Sequence, residues 1–538
     1  MELHAILFDT RSIQKYIFSG NRLKTNIGAS YIVDTVFDKI LVQQVLPAHC
    51  QLLDADSWHK EETKGKDIAE LVKDCYIAYI GGGNALVLFK DKSEAERRAI
   101  VSEFTKMLLT TYPGLKTGAA IGDLDTTTGT TYKNTMNQLY QQLKKYQNTI
   151  FPQVNVPYTG LTLACEVNGE AANFFDAHHT IAVTGEGRFF SQEVKAKTEA
   201  VKAANKYINK RINQRIKDKS FEVVTYNDAL TGVKSFSFPM ELDHLGQRET
   251  ENDIAIIHID GNQMGKRFSS CKTLTERSDL SWRVKAKTEE AFTRLLFDIV
   301  AEYDTYADFL TLETGVLPIR PLILGGDDVT FICPARLALT YVKRFMTYLK
   351  ESSDILEEGI SSCAGIAILP TSYPFFRGYK LAEQLCDAAK SKSRADSTTC
   401  WLDYAILHGE QAPELDQIRL EEYSGALGNM HFGPYRVDKD DEVHSLTALL
   451  TAARQFADAN FLPRNKVKEL RFVAARGHAD IKTYMEQLHH LEKRLPKVKV
   501  WGKFEKDVWV NKETPYVDAI ELIDYLVPEQ KGMMNDGL

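Results

Sequence analysis

Pro321-Leu322-Ile323-Leu324-Gly325-Gly326-Asp327-Asp328-Val329-Thr330-Phe331-Ile332 is the stretch whose reading decides the fold. Two short apolar, β-branched runs flank a Gly-Gly pair. Glycine supplies the positive φ that a tight turn requires, so the stretch predicts a β-hairpin with two carboxylates at its tip. Upstream, Ile254-Ala255-Ile256-Ile257-His258-Ile259 reads as a strand that runs into Asp260, and Gly261-Asn262-Gln263-Met264-Gly265-Lys266-Arg267-Phe268 follows. Downstream, Ala338, Val342, Phe345 and Leu349 recur at helical spacing, Cys363 to Ile368 reads as a further strand, and another amphipathic helix comes after it. Strand, helix, hairpin, helix, strand is a ferredoxin-like α+β plan.

The same plan appears once before, with few identical residues. Ala5-Ile6-Leu7-Phe8 runs into Asp9, and Tyr76 to Ile80, Gly81-Gly82-Gly83-Asn84 and Ala85 to Phe89 form the hairpin. Ser93-Glu94-Ala95-Glu96 opens a helix with a capping box, and Thr117 to Ile121 is the last strand. The expected organisation is a degenerate first copy over residues 1–150, an intervening α/β domain over 151–250, a second copy over 251–400 and a C-terminal helical domain over 401–538. Leu446, Leu449, Leu450, Ala453 and Phe456 carry the helical reading of the last part.

Adjacent aspartates at a hairpin tip repel each other, and a purely structural turn is satisfied by one Asp or Asn with Gly. A divalent cation removes the conflict. In a palm arrangement the strand ending in Asp260 lies beside the hairpin, so Asp260, Asp327 and Asp328 are the expected catalytic and metal-binding carboxylates. Hard oxygen donors with no sulfur or imidazole cluster nearby favour Mg²⁺ or Mn²⁺. Paired ions of this kind activate a hydroxyl and stabilise leaving pyrophosphate in an in-line displacement, which makes nucleotidyl transfer the expected chemistry. Gly325 and Gly326 leave room for a base or ribose, and Gly261, Asn262 and Gly265 offer backbone amides near the phosphates. Lys390, near the end of the last palm helix, is a candidate triphosphate clamp. His258, inside an apolar strand, reads as a satisfied core histidine, and the pairs His178-His179 and His489-His490 read as structural.

The chain has 538 residues, 44% hydrophobic and 26% charged, which implies several cores. No apolar run is long enough to span a bilayer and the start lacks a signal-peptide pattern, so no membrane contact and a cytoplasmic location are expected. Eight scattered cysteines form no CxxC pair and read as reduced thiols. A formal net charge of −7 argues against a surface that grips a polyanion everywhere, while leaving room for local basic grooves. One such run, from Lys195 through Lys197, Lys202, Lys206, Lys210, Arg211, Arg215 and Lys217 to Lys219, is an amphipathic helix. It is either a solvated face or a phosphate-binding one.

Taken together, these residues resemble the large polymerase/cyclase subunit of type III CRISPR-Cas effector complexes. The resemblance rests on the Gly-Gly-Asp-Asp turn, on Ser12 to Phe18 with Leu23-Lys24 and Gly28-Ala29-Ser30, and on Asp260-Gly261-Asn262 with Met264-Gly265. Gly433-Pro434-Tyr435-Arg436 and Leu462-Pro463-Arg464-Asn465 add to it. It implies two facing palm domains, conversion of ATP to a cyclic oligoadenylate second messenger when target RNA binds, and other effector subunits with guide RNA and target RNA as partners. It implies that Asp260, Asp327 and Asp328 hold the metals of the donor site while Gly28, Ala29 and Ser30 bind the acceptor nucleotide. An alternative product is an AMP adduct of S-adenosylmethionine, and a further alternative is a non-catalytic scaffold. Many relatives carry a His-Asp nuclease domain before the first palm and a CxxC zinc module between the palms. Here no His-Asp dipeptide occurs and only Cys165 stands near the expected module, so neither DNase activity nor a zinc site is expected. Basic residues at Lys195 to Lys219, and at Lys493, Arg494, Lys497, Lys499 and Lys503, are the candidates for RNA contact.

Overall fold

A computed structural model describes residues 2–52, 66–148, 158–176, 188–218, 220–226, 234–246, 252–407, 414–505 and 507–527. His178, His179 and Lys219 lie outside them. The first sheet has four antiparallel strands in the order Cys75–Gly81, Asn84–Phe89, Glu2–Arg11, Lys116–Asp125. The second repeats that order with Arg320–Gly325, Asp328–Pro334, Asp253–Gly261 and Ser362–Pro370. It then continues past residue 400 with Trp401–Ile406, paired in parallel, and the short strand Tyr435–Arg436. The hairpin strands and the strand before them are buried on both faces, so they read as continuous apolar runs. Ile254, Ala255, Ile256, Ile257 and Ile259 are all at most 3% exposed, and each large side chain buried this way contributes roughly 1.5–3 kcal/mol.

The two copies agree in backbone detail where their side chains differ. Asp9 pairs with Asn84 as Asp260 pairs with Asp328. A register shift falls between Ile77 and Tyr79 in one hairpin and between Pro321 and Ile323 in the other, at the same distance from the turn. Three residues after each strand-ending aspartate, Ser12 and Gln263 both adopt φ 54° in the left-handed region, and a helix starts there. A side chain in that conformation costs free energy, so its recurrence marks a turn that the plan itself demands.

Two helices join the copies. The long helix Leu274–Ala301 runs between the hairpins: Ser278 donates to the Ala78 carbonyl in the first, and Thr288 Oγ1 donates to the Gly326 carbonyl in the second (2.5 Å). The helix Gln192–Arg215 carries the basic run. Neither sequence reading of that run, a solvated face or a phosphate-binding face, describes its inner side. Lys197 is 2% exposed and pairs with Glu193 (2.5 Å), and Arg211 pairs with Asp34 (2.6 Å) and Glu289 (2.7 Å). Buried charges must be paired; Lys197 finds its partner on its own helix, and Arg211 finds one in each palm. Lys202, Lys206 and Lys210 remain exposed.

Beyond the second sheet lie helices Leu446–Ala457, Arg464–Arg476, His478–His490 and Tyr516–Glu521. Their junction with the sheet is polar and buried: His431 bonds Asp403 (2.9 Å) and Asp518 (3.1 Å), and Arg419 bonds Asp403 (3.0 Å). Between the palms, Cys165 packs with Phe190 and Val194 in a small apolar cluster. All eight cysteines are free thiols. Among the described residues no helix is long and apolar enough to cross a membrane.

Candidate active site

Asp260 ends its strand directly opposite Asp328, while Gly325 faces Asp328 across the turn and Gly326 takes φ 86°. The Gly261 amide donates to the Asp327 carbonyl (3.2 Å), which ties the strand end to the turn. Gly261 is required sterically, because a Cβ there would come within 2.9 Å of the Asp327 Cβ and 3.0 Å of Met264. The three aspartates are thereby brought to one place by register alone.

Each carboxylate has a different environment. Asp260 is held by the Lys390 ammonium, the lysine read from the sequence as a triphosphate clamp. Asp328 Oδ2 accepts from Gln14 Nε2 (3.4 Å), a residue of the first palm, while its Oδ1 is buried without a hydrogen-bond partner. Burial, and then repulsion from Asp260, push Asp327 up to about 6; burial followed by Asp260 and Asp327 pushes Asp328 up to about 7. His258 is buried as expected, but it is not satisfied. Its Nδ1 lacks a partner and lies 3.5 Å from Asp328 Oδ1, and burial pulls the ring down to about 4.

Among the described residues no three or more His, Cys, Asp or Glu side chains are disposed as a metal site, and Asp260 is engaged by Lys390. The donor set nonetheless fits a hard cation. Asp328 keeps an orphaned buried oxygen, and Asp327 and Asp328 are raised by burial and then by repulsion among the aspartates, both of which a divalent ion offsets.

Two cavities of about 230 and 240 Å³ adjoin the turn and share Asp34, Gly81, Gly82, Lys285, Gly325 and Asp327 as walls. The first is largely aliphatic, with Ile13, Ile17, Ile27, Val33, Ile208 and Leu322, and it runs along the strand from Arg320 to Gly325. The second is aromatic, with Tyr79, Tyr140 and Phe268. Arg277 lies 5.3 to 5.8 Å from the centres of those three rings. Gly325 lines both cavities, whereas Gly326 and Gly265 line the second, and a Cβ at Gly265 would meet nothing within 4 Å. Of the three residues proposed for the acceptor, Ser30 alone lines either of these two cavities, and its hydroxyl donates to the Leu322 carbonyl. Gly28 is where two helices cross, since a Cβ there would lie 1.8 Å from the Lys197 carbonyl oxygen, and Ala29 is fully buried. Asn262 is a buried fastener: its side chain donates to the Thr399 carbonyl (2.9 Å) and accepts from the Cys363 thiol (3.3 Å).

Arg211, Lys285, Arg277 and Thr288 were not singled out as site residues by sequence reasoning. Arg211 stood in the basic run, but nothing in that run aims one residue at the Leu324 carbonyl, to which its Nη2 donates (3.2 Å). Lys285 has no motif at all; it lines both cavities and makes no hydrogen bond or ion pair to a described residue.

Comparison with known proteins agrees with this geometry. Residues 253–399 match the family model for the second palm domain of Cas10/Cmr2. Over 98% of this chain and 70% of that one, the fold matches Csm1 in a Csm1–Csm4 cassette bound to cA4, with 12% identity and TM-score 0.55. The same cassette with one ATP matches with 12% identity and TM-score 0.53, over 98% and 70%. Csm1 of T. onnurineus matches with 11% identity and TM-score 0.54, over 97% and 69%. No curated protein matches. Residues 253–399 are thus similar to the second palm domain of Cas10/Cmr2, within a multidomain α+β fold.

Proposed function

We propose that the chain is a metal-dependent nucleotidyltransferase of a type III CRISPR complex that polymerises ATP into a cyclic oligoadenylate when target RNA is bound. The observation that carries this reading is the register that sets Asp260 against Asp328, beside Asp327, at the meeting point of two cavities. Solved relatives of the same fold hold cA4 or ATP, which supports ATP as substrate, and they sit in a cassette with Csm4, which supports partner subunits here. Asp260, Asp327 and Asp328 would hold Mg²⁺ or Mn²⁺, which supplies charge stabilisation at the phosphates when bound.

The chain's own residues contribute positioning. Gly325 and Gly326 leave the hairpin bare for a nucleotide, the Thr288 hydroxyl fixes the turn through the Gly326 carbonyl, and Gln14 orients Asp328 from the other palm. Lys390 holds the Asp260 carboxylate in place beside the turn. In the proposed step the acceptor hydroxyl oxygen bonds the α-phosphorus, the bond to pyrophosphate breaks, and the hydroxyl proton passes to a carboxylate of the turn.

The unlike linings of the two cavities, one aliphatic and one aromatic with Arg277, favour keeping a second acceptor in view. Adenylyl transfer to S-adenosylmethionine would use the same carboxylates and a different occupant of one cavity. The test is to incubate the protein, with partner subunits and target RNA, with ATP and Mg²⁺ or Mn²⁺, with and without S-adenosylmethionine, and to identify products by mass spectrometry. An oligoadenylate lost in Asp327→Ala/Asp328→Ala establishes the main reading, and an AMP adduct made only with S-adenosylmethionine establishes the second. No aspartate-dependent product in any condition leaves a non-catalytic scaffold.

A further inference from the structure

Arg320 opens the strand that ends at Gly325, and it is only 2% exposed. Its guanidinium donates to Asn205 Oδ1 (2.8 Å) and lies 5.7 Å from the Phe238 ring centre, while its Nε has no hydrogen-bond partner. No carboxylate among the described residues pairs with it. Arg211, Arg215, Arg344 and Arg419, by contrast, are each matched by Asp or Glu. Burial alone acts on Arg320, pulling it down to about 9, with no opposing charge to restore it. An ionised guanidinium held in an apolar wall without a counter-ion is costly, and it persists where something from outside completes it.

The wall is that of the aliphatic cavity. Its lining runs continuously from Arg320 through Pro321, Leu322, Ile323 and Leu324 to Gly325, Asp327 and Asp328. Five strand steps separate Arg320 from Gly325, roughly 16 Å at the usual rise. A ligand lying along this strand with a reactive group at the carboxylate turn therefore presents its other end to Arg320. The aliphatic walls between the two suit an uncharged nucleoside body.

We propose that Arg320 receives an anionic group at the remote end of the acceptor, so that this cavity takes an adenosine whose 5′ side carries a negative charge. The proposal rests on the nucleotidyl-transfer reading for which end of the ligand reacts, but the anion site does not depend on turnover. Two sources share the required chemistry, the triphosphate of ATP and the carboxylate of S-adenosylmethionine. Arg320 is a binding and positioning residue in this scheme and touches no reacting atom.

The test is calorimetric titration of the full chain with adenosine, ATP and S-adenosylmethionine, in EDTA so that metal-dependent binding is suppressed, for the wild type and Arg320→Met. Losing a charge-assisted hydrogen bond should weaken the anionic ligand roughly tenfold to a hundredfold and leave adenosine unchanged. Loss confined to ATP assigns the site to phosphate, and loss confined to S-adenosylmethionine assigns it to carboxylate. Equal weakening of all three ligands makes Arg320 merely structural and overturns the proposal, as does wild-type protein that binds neither ATP nor S-adenosylmethionine better than adenosine. Melting temperature is the control. Replacing an unpaired buried charge with an apolar side chain should leave it unchanged or raise it, and a large fall overturns the proposal. Missing product in the turnover assay, with the Arg320 effect intact, would sink the nucleotidyl-transfer reading alone.

Discussion

The two hairpins share a register, a bulge and a left-handed residue at the start of the following helix, and they differ in what faces the strand-ending aspartate. In the second, Asp260 meets Asp328 and is held by Lys390. In the first, Asp9 meets Asn84 and is held by Gln147 Nε2 (2.5 Å). Lys390 and Gln147 come from corresponding helices, Phe375–Ser393 and Gly129–Gln147. One plan therefore carries three carboxylates and an ammonium on one side and a single aspartate faced by two amides on the other. A single backbone can keep its strain and register while its chemistry is removed by changing amides for carboxylates and an ammonium.

The largest way to break the comparison is to make the second hairpin resemble the first. Asp327→Gly/Asp328→Asn rebuilds the Gly-Gly-Gly-Asn turn, and product formation should fall on the order of 10³-fold or more, read by mass spectrometry, because the charge-stabilising groups are gone. Lys390→Gln imitates the first palm one step further out. It should cost roughly tenfold to a hundredfold in turnover, since it frees Asp260 without removing it.

Proton linkage sharpens the contrast. Asp327 and Asp328 are raised to about 6 and about 7, above the unfolded value of 3.8. Groups raised on folding contribute stability that is present below the unfolded value and is lost as pH rises through the folded one. Metal-free wild type should therefore lose stability between about pH 4 and pH 7 relative to Asp327→Asn/Asp328→Asn. The variant should be more stable at pH 8, by a gain on the order of 2 kcal/mol after allowance for solvent screening. Urea titration at pH 5 and pH 8 in EDTA reads this, and an unchanged difference between the two proteins refutes it. Turnover should decline below about pH 7, up to tenfold per pH unit for each proton taken up.

The smallest effect tests the frame around the turn. Thr288→Val removes one hydrogen bond to the Gly326 carbonyl, which should cost about 1 kcal/mol in stability and less than tenfold in turnover. A larger loss of turnover than Lys390→Gln would mean that turn geometry outweighs charge in separating the two hairpins.

What could be read directly was the part written in local pattern. The apolar runs, the glycine turns and the terminal aspartates each act within a few residues, so strands, hairpins and the repeat were all visible. Their pairing followed from the ferredoxin-like order, which brought Asp260 to Asp328. Gly28 and Ala29 show where local reading stopped, because a glycine in a helix looks alike whether it meets a ligand or another helix. Asn262 is similar: two residues past Asp260 it looks like a phosphate contact, and only the loop at Ser397 and Thr399 makes it a fastener.

By itself, the sequence determined the two palm plans and the unequal turns, because strand alternation, turn conformation and carboxylate repulsion operate over a few residues. Tertiary structure decided which side chains from distant helices face those turns: Gln14, Arg211, Lys285 and Thr288, together with the buried Arg320 and the lysine on Asp260. A helix or strand presents several faces, and packing selects the one that meets the site. Only in the folded chain can a charge be seen to lack its partner.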